Sequence, residues 1–244
     1  MADPTWLPDV LRKAGLVCDV YPGAMDRGHG DFGQIWGVVC HHTGSFGETP
    51  KGIAQHPSLG LASQLYLGRD GKYTLCGVGI AWHAGQGAWP GIPTNDANRV
   101  TIGIEAANDG GGTPGKPHRA SWSDAQYNAY VRGVAAILNH LDQPASHAIA
   151  HKEWAGTAQG KWDPGAIDMT IFRADVARVQ AELKANPARK EPTTVVPNTN
   201  LLREVWDQLR GPQGKGWPQL GGRTIVDSLA EAHRKLDELL GRSK

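Results

Sequence analysis

The sequence predicts an α/β (α+β) fold, a mixed central β-sheet flanked by helices, with a small helical hairpin appended at its C-terminal end. Three observations carry that reading. Strand-like and helix-like segments interleave up to about residue 185, the pattern of a sheet covered by helices. Residues 186–198 read NPARKEPTTVVPN, with three prolines and no apolar periodicity, the composition of an extended linker. Beyond it, two apolar stripes at helical spacing flank a glycine-rich loop. The expected layout is a main domain over 1–185, a linker over 186–198 and a helical region over 199–244.

Taken in order, IWGVVCHH (residues 35–42) reads as a strand, and residues 63–68 as another. The RDG at 69–71 is a hairpin-type turn leading into a strand over 72–78. RVTIGIEAA (99–107) is strand-like again. Ser123, followed three residues later by Gln126, resembles a capping box. Tyr127, Tyr130, Val131, Val134, Leu138 and Leu141 then recur at helical spacing, which predicts one amphipathic helix. A short strand-like run covers 147–151, and Phe172, Val176, Val179 and Leu183 mark a closing helix. Past the linker, Leu201, Leu202, Val205, Trp206 and Leu209 form one apolar face. Ile225, Leu229, Ala232, Leu236 and Leu239 form a short heptad-like stripe on a second helix. So small a hairpin buries too little surface to stand alone. It is expected to pack on the main domain, on a copy of itself in a homodimer, or on a target.

Composition excludes several classes. The 244 residues carry 25 basic and 24 acidic side chains, net +1, with 15 basic against 17 acidic up to residue 185 and 10 against 7 beyond it. No basic run supplies a footprint for nucleic acid. No apolar run approaches the roughly 20 residues of a spanning helix, so membrane insertion is not expected. The opening MADPTWLPDV has neither the basic nor the apolar region of a secretory signal peptide, so a role outside a cell would require release by another agent. Cys18, Cys40 and Cys76 form no CxxC pair and are expected to be reduced thiols. Nine tryptophans against three phenylalanines is a skewed ratio; indoles recur at wet recognition surfaces, although most are core.

Of the ten histidines, His29, His56, His118, His140, His147 and His233 lie in loops or helices without convergent partners and read as ordinary surface or core residues. His41 and His42 close a strand, and neighbouring strand side chains point to opposite faces, so only one can serve a given site. Spacing does not choose between them. His151 ends a strand-like run, and Asp163 follows after eleven intervening residues, within KWDPG. Two imidazoles and a carboxylate suit zinc with an open fourth position. In an extended KWDPG, Lys161 and Asp163 share a face opposite Trp162; the plainer alternative is a surface lysine beside a buried indole. In TIGIE, Ile102 and Ile104 face one side while Thr101, Gly103 and Glu105 face the other. Glu105 then either pairs with Arg99 or acts as a general base.

RGHGDFGQIWGVVCHHT, AWHAG (81–85), NRVTIGIEAAND and AHKEWAGTAQGKWDPGAIDM, in that order over residues 5–185, resemble the type-2 N-acetylmuramoyl-L-alanine amidases. They resemble most the amidase modules of endolysins from actinobacterial phages. The resemblance implies a peptidoglycan-recognition-protein-like fold with Zn2+ in a surface groove. It implies His41, His151 and Asp163 as metal ligands, with His42 facing away. Glu105 matches the strand glutamate that activates water in some members, and Lys161 the lysine two residues before the third ligand. His83 falls where relatives place a groove histidine, and Trp82, Trp89 and Trp154 are candidates to line that groove, with Trp82 and Trp154 preferred. Where some relatives carry a catalytic tyrosine, this chain has Ser63, which leaves Glu105 to act alone.

The resemblance implies hydrolysis of the amide between the lactyl group of N-acetylmuramic acid and the L-alanine of the stem peptide, in the peptidoglycan of an actinobacterial host. A chain without an export signal would wait in the host cytoplasm until a holin-type pore releases it to the wall. The alternatives are a non-catalytic peptidoglycan-binding module, disfavoured because all three ligand positions are filled, and a zinc peptidase of the stem peptide. For the tail, the basic excess favours an anionic wall polymer, and the heptad stripe a homodimer.

Overall fold

The computed structural model describes residues 3–185, 207–211 and 215–241. The chain divides into two compact units, Met1–Glu191 and Pro192–Lys244.

The first unit is built on a six-stranded mixed sheet. The strands are β1 (Cys18–Val20), β2 (Gly37–His42), β3 (Leu65–Leu67), β4 (Tyr73–Leu75), β5 (Thr101–Ala106) and β6 (Ala148–Ala150). Their spatial order is β1-β4-β3-β5-β2-β6. Only β3 and β4 pair antiparallel, through the RDG turn, where Gly71 at φ +82° takes a left-handed conformation that glycine adopts without cost. The central pair β2 and β5 is parallel with His41 opposite Glu105, and β6 flanks β2 with Ala150 opposite Cys40. Every residue of β2 is buried, as expected of an interior parallel strand covered on both faces.

Helices α1 (Leu7–Lys13), α3 (Asp124–His140) and α5 (Met169–Ala185) cover one face. The short α2 (Pro50–Ala54) and α4 (His151–Ala155) lie in the connections. Leu7 and Leu11 of α1 are fully buried with Val38, Cys40, Ile102 and Ile104, each leucine stabilising the fold by about 2 kcal/mol. Tyr127 and Tyr130 of α3 meet Phe172 of α5 edge to face. The opposite face of β2 carries Val39, packed with Ala84, Ile92, Ala97, Ile149 and Trp154. All three cysteines are buried free thiols.

α3 forms where the periodicity places it, and the Ser123 hydroxyl accepts from Gln126 N at 3.1 Å. The reciprocal half of a capping box is missing. The Gln126 amide instead donates to Leu67 O and Ala107 O, tying the helix to the ends of β3 and β5. The Tyr130 hydroxyl reaches the sheet too. It accepts from His41 N at 2.8 Å and lies 3.0 Å from His41 O and 3.1 Å from Ile104 O. Tyr130→Phe would leave the buried His41 N–H unpaired, and is expected to cost about 1–3 kcal/mol of stability, read as a lower urea midpoint. An unchanged midpoint would show that another acceptor takes that N–H.

The stretch between His151 and Asp163 is not a simple loop. His151 opens α4, and a 3-10 turn covers Thr157–Gln159. α1 and β1 are absent from the sequence reading because one turn of apolar spacing and three strand residues are too short to show a period.

In the second unit, α6 (Ile225–Leu239) starts at Thr224, whose hydroxyl accepts from Asp227 N at 3.0 Å. Leu229, Leu236 and Leu239 are exposed, while Arg234 and Lys235 pair with Glu231. Of the preceding apolar face, residues 201–206 lie outside the described residues, as does the linker over 186–198.

Candidate metal centre

Three strands deliver the site. His41 is the penultimate residue of β2, Glu105 lies opposite it on β5, and His151 follows the last residue of β6. All three sit at the carboxyl ends of parallel strands, where α/β sheets open a crevice. Period-two alternation turns His41 and Glu105 to the loop-covered face and His42 to the helical one.

The KWDPG segment is brought to the same point by Lys152, Trp122 and His42. Lys152 N donates to Asp163 O at 2.9 Å, and its half-buried ammonium donates to Pro164 O at 3.0 Å and Ile167 O at 2.8 Å. Gly165 N donates to His42 Nδ1 at 2.8 Å, and Trp122 Nε1 to Gly165 O at 2.9 Å. Trp162 turns away from Asp163 and packs edge-on against His42, 4.6 Å between centroids. His42, excluded from the site by its face, therefore anchors the loop that carries Asp163.

Three donor atoms converge. His41 Nδ1 lies 3.1 Å from His151 Nδ1, and each lies 3.0 Å from Asp163 Oδ2. His151 Nε2 is 3.0 Å from Ala84 O, an atom that can only accept, so that nitrogen carries the ring proton and Nδ1 keeps its lone pair. Burial pushes His41 down to about 4, against the pull of Asp163, so its imidazole is neutral near pH 7. The His151 lone pair, the Asp163 carboxylate and His41 Nδ1 thus surround one point at mutual distances of 3.0–3.1 Å. A tetrahedral zinc with bonds of about 2.0–2.1 Å spaces its donors about 3.3 Å apart, so this donor set fits one. Among the described residues, His41, His151 and Asp163 form a group able to hold a metal ion.

Glu105 stands beside this triangle, Oε1 3.9 Å from His41 Nδ1, while its buried Oε2 has no hydrogen-bond partner among the described residues. Burial, then the charge of Asp163, push Glu105 up to about 8, with Lys161 pulling the other way. Arg99 does not pair with it; its guanidinium lies 4.0 Å from Asp96, on the surface. Lys161 is exposed, and its charge reaches Glu105 and His41. Ser63 is fully buried, its hydroxyl also unpartnered among the described residues.

The groove residues divide. Trp82 is 43 % exposed and stacks on His29 at 4.7 Å. Trp154 is 1 % exposed and belongs to the core beneath the site, so it lines no groove; a position one turn into α4 aims its indole at Val39 and Ile149. His83 is buried as well, with Nδ1 3.1 Å from His41 Nε2, behind that imidazole rather than in a groove wall.

A family model described as N-acetylmuramoyl-L-alanine amidase, Amidase_2, matches residues 31–166, and one described as the Rv3766 C-terminal domain matches 188–239. A 35-residue stretch is 80 % identical to the uncharacterized protein Rv3766 of Mycobacterium tuberculosis, covering 12 % of this chain and 13 % of that protein. Among solved structures, similarity extends to a selenomethionine derivative of AmpD, with 22 % identity, a TM-score of 0.45, and coverage of 66 % of this chain and 93 % of that one. The amidase LysC of Clostridium intestinale matches with 19 % identity and a TM-score of 0.47, over 66 % and 96 % of the two chains. The amidase AmiD of E. coli matches with 21 % identity and a TM-score of 0.46, over 61 % and 60 %. The segment matched by the amidase model takes in His41, Glu105, His151 and Asp163, spans more than half of the sequence, and establishes that this chain belongs to the N-acetylmuramoyl-L-alanine amidase family.

Proposed function

We propose that this chain is a zinc-dependent peptidoglycan hydrolase cleaving the amide between N-acetylmuramic acid and L-alanine. The observation that carries the reading is the convergence of two imidazole nitrogens and a carboxylate beside Glu105, whose Oε2 is buried without a hydrogen-bond partner among the described residues. His41, His151 and Asp163 would hold the zinc. When bound, zinc supplies Lewis acidity, easing deprotonation of a water and polarisation of an amide carbonyl near neutral pH.

The remaining roles fall to this chain's own groups. Glu105, its Oε1 3.9 Å from His41 Nδ1, takes the proton of the attacking water and returns it to the leaving L-alanine nitrogen. Lys161 supplies positive charge to the lactyl oxygen as it becomes an oxyanion. Trp82 offers an exposed apolar face to a sugar ring or stem peptide. No tyrosine assists, since Ser63 occupies that place.

We extend the proposal to the whole chain: catalytic domain over 1–185, linker over 186–198, and a region over 199–244 that holds the enzyme to the wall or to a second copy. An endolysin of an actinobacterial phage, kept in the host cytoplasm until a holin-type pore opens, is the biological setting that matches this arrangement.

Mass spectrometry of actinobacterial peptidoglycan digested with and without a zinc chelator tests the reaction. Free stem peptides with N-terminal L-alanine, absent under chelation, are expected. Fragments cut inside the peptide would make the chain a peptidase, and no soluble product would make it a binding module. The chain ended after Ala185, in the same assay, is expected to release the same peptides from soluble fragments while losing retention on whole walls. Equal retention would remove the wall-binding role of the tail.

A further inference from the structure

Both imidazole ligands are backed by one dipeptide. His151 Nε2 donates to Ala84 O at 3.0 Å, and His41 Nε2 lies 3.1 Å from the ring of the preceding residue, His83. His83 Nε2 in turn lies 3.3 Å from Thr101 O, a carbonyl that can only accept. That nitrogen therefore carries the ring proton of His83, and Nδ1 is left as an acceptor. The proton between the two rings then belongs to His41 Nε2, and His41 Nδ1 keeps its lone pair, directed at His151 and Asp163. The line runs from a backbone carbonyl of β5 through two imidazoles to the point where the three donors meet.

The surroundings hold this line in place. His83 N and Ala84 N both donate to Asn98 Oδ1, at 3.0 and 2.8 Å, which fixes the dipeptide against the sheet. The His83 ring stands 84° to that of His41, with 5.2 Å between centroids, and lies over Gly103. A Cβ at residue 103 would come within 2.7 Å of His83 Cγ and 2.7 Å of Ser63 Oγ. The bare backbone of Gly103, between Thr101 and Glu105 on the same strand face, makes room for the ring.

We propose that His83 is a positioning residue: by accepting the Nε2 proton of His41 it locks that ligand in the tautomer whose Nδ1 can bind metal, with Asn98 and Gly103 holding it there. The inference rests on the metal reading above. His83 touches neither substrate nor metal, and it acts through His41. Such outer-shell partners fix the orientation and basicity of a ligand, and their loss typically weakens metal binding about 10- to 100-fold.

The first test needs no metal. In the metal-free, full-length protein, long-range proton–nitrogen correlation spectra of the histidine rings are expected to show both His41 and His83 protonated at Nε2 and bare at Nδ1. His41 protonated at Nδ1 would overturn the proposal whatever any variant does. The second test is zinc affinity by competition with a chromogenic chelator. His83→Leu is expected to bind zinc about 10- to 100-fold more weakly than wild type and to show mixed His41 tautomers. His83→Gln, whose amide oxygen can accept the same proton, is expected to recover most of the loss. Gly103→Ala is expected to resemble His83→Leu. Wild-type zinc affinity in folded His83→Leu, with the tautomer unchanged, would overturn the positioning role while leaving the ligand set intact. Failure of the wild-type chain to bind zinc would instead overturn the metal reading and this inference with it.

Discussion

Asp163→Ala is expected to lose zinc and activity together. Its carboxylate is the one anionic donor of the three, and without it two neutral imidazoles remain, which hold a divalent ion poorly. The affinity loss should exceed the roughly 100-fold ceiling typical of outer-shell substitutions, and release of stem peptides should fall to background. His41→Ala is expected to behave alike, because each Nδ1 of the pair lies 3.0 Å from the same Oδ2. Metal content by atomic emission after dialysis, measured beside stem-peptide release, checks both. A folded variant retaining one zinc per chain would reassign the ligands.

Glu105→Gln should separate the two properties, keeping zinc while kcat falls by about 10²- to 10⁴-fold, the usual contribution of a positioned base. Glutamine preserves shape and burial but cannot take a proton. A rate near that of wild type would move the base to another group. The same substitution carries a prediction for the metal-free protein. Folded Glu105 is pushed up to about 8 from an ordinary 4.5, so the folded form binds its proton more tightly than the unfolded one. Its contribution to stability is therefore full below about pH 4.5 and is lost as pH rises through about 8, at most about 5 kcal/mol. Metal-free Glu105→Gln lacks this loss, so its thermal midpoint should fall less than that of wild type between pH 5 and 8. Parallel curves would show that Glu105 is not buried as the uncomplexed acid. A divalent cation held by His41, His151 and Asp163 would favour the ionised carboxylate, so loading with zinc is expected to flatten the wild-type curve as well.

The strands of the site were readable in the sequence because their physics is local. VVCHH is a short continuous apolar run, and in TIGIE a period of two puts Thr101, Gly103 and Glu105 on the face opposite Ile102 and Ile104. The amphipathic pattern from Tyr127 to Leu138 likewise determines α3. Pairing in the sheet is not local. Only the register that sets His41 opposite Glu105, and Cys40 opposite Ala150, shows that residues 41, 105 and 151 stand side by side.

Residue type by itself identified the chemistry available: two imidazoles, a carboxylate with a lysine two residues before it, and a lone strand glutamate. Which histidine of the 41–42 pair faces the site depended on the hand of the pleat, and the tertiary structure put His41 inward and gave His42 the task of holding Gly165. Trp154 and His83 show the limit most plainly. Both belong to segments that form the site, yet one indole is core and one imidazole stands behind His41. A side chain's direction depends on what packs against it from distant parts of the chain, here Val39, Ile149, Gly103 and Asn98. The sequence determined the elements and the kinds of group on offer. The tertiary structure decided which groups meet and which polar atoms stay unpaired among the described residues, because those properties arise only between residues brought together by long-range packing.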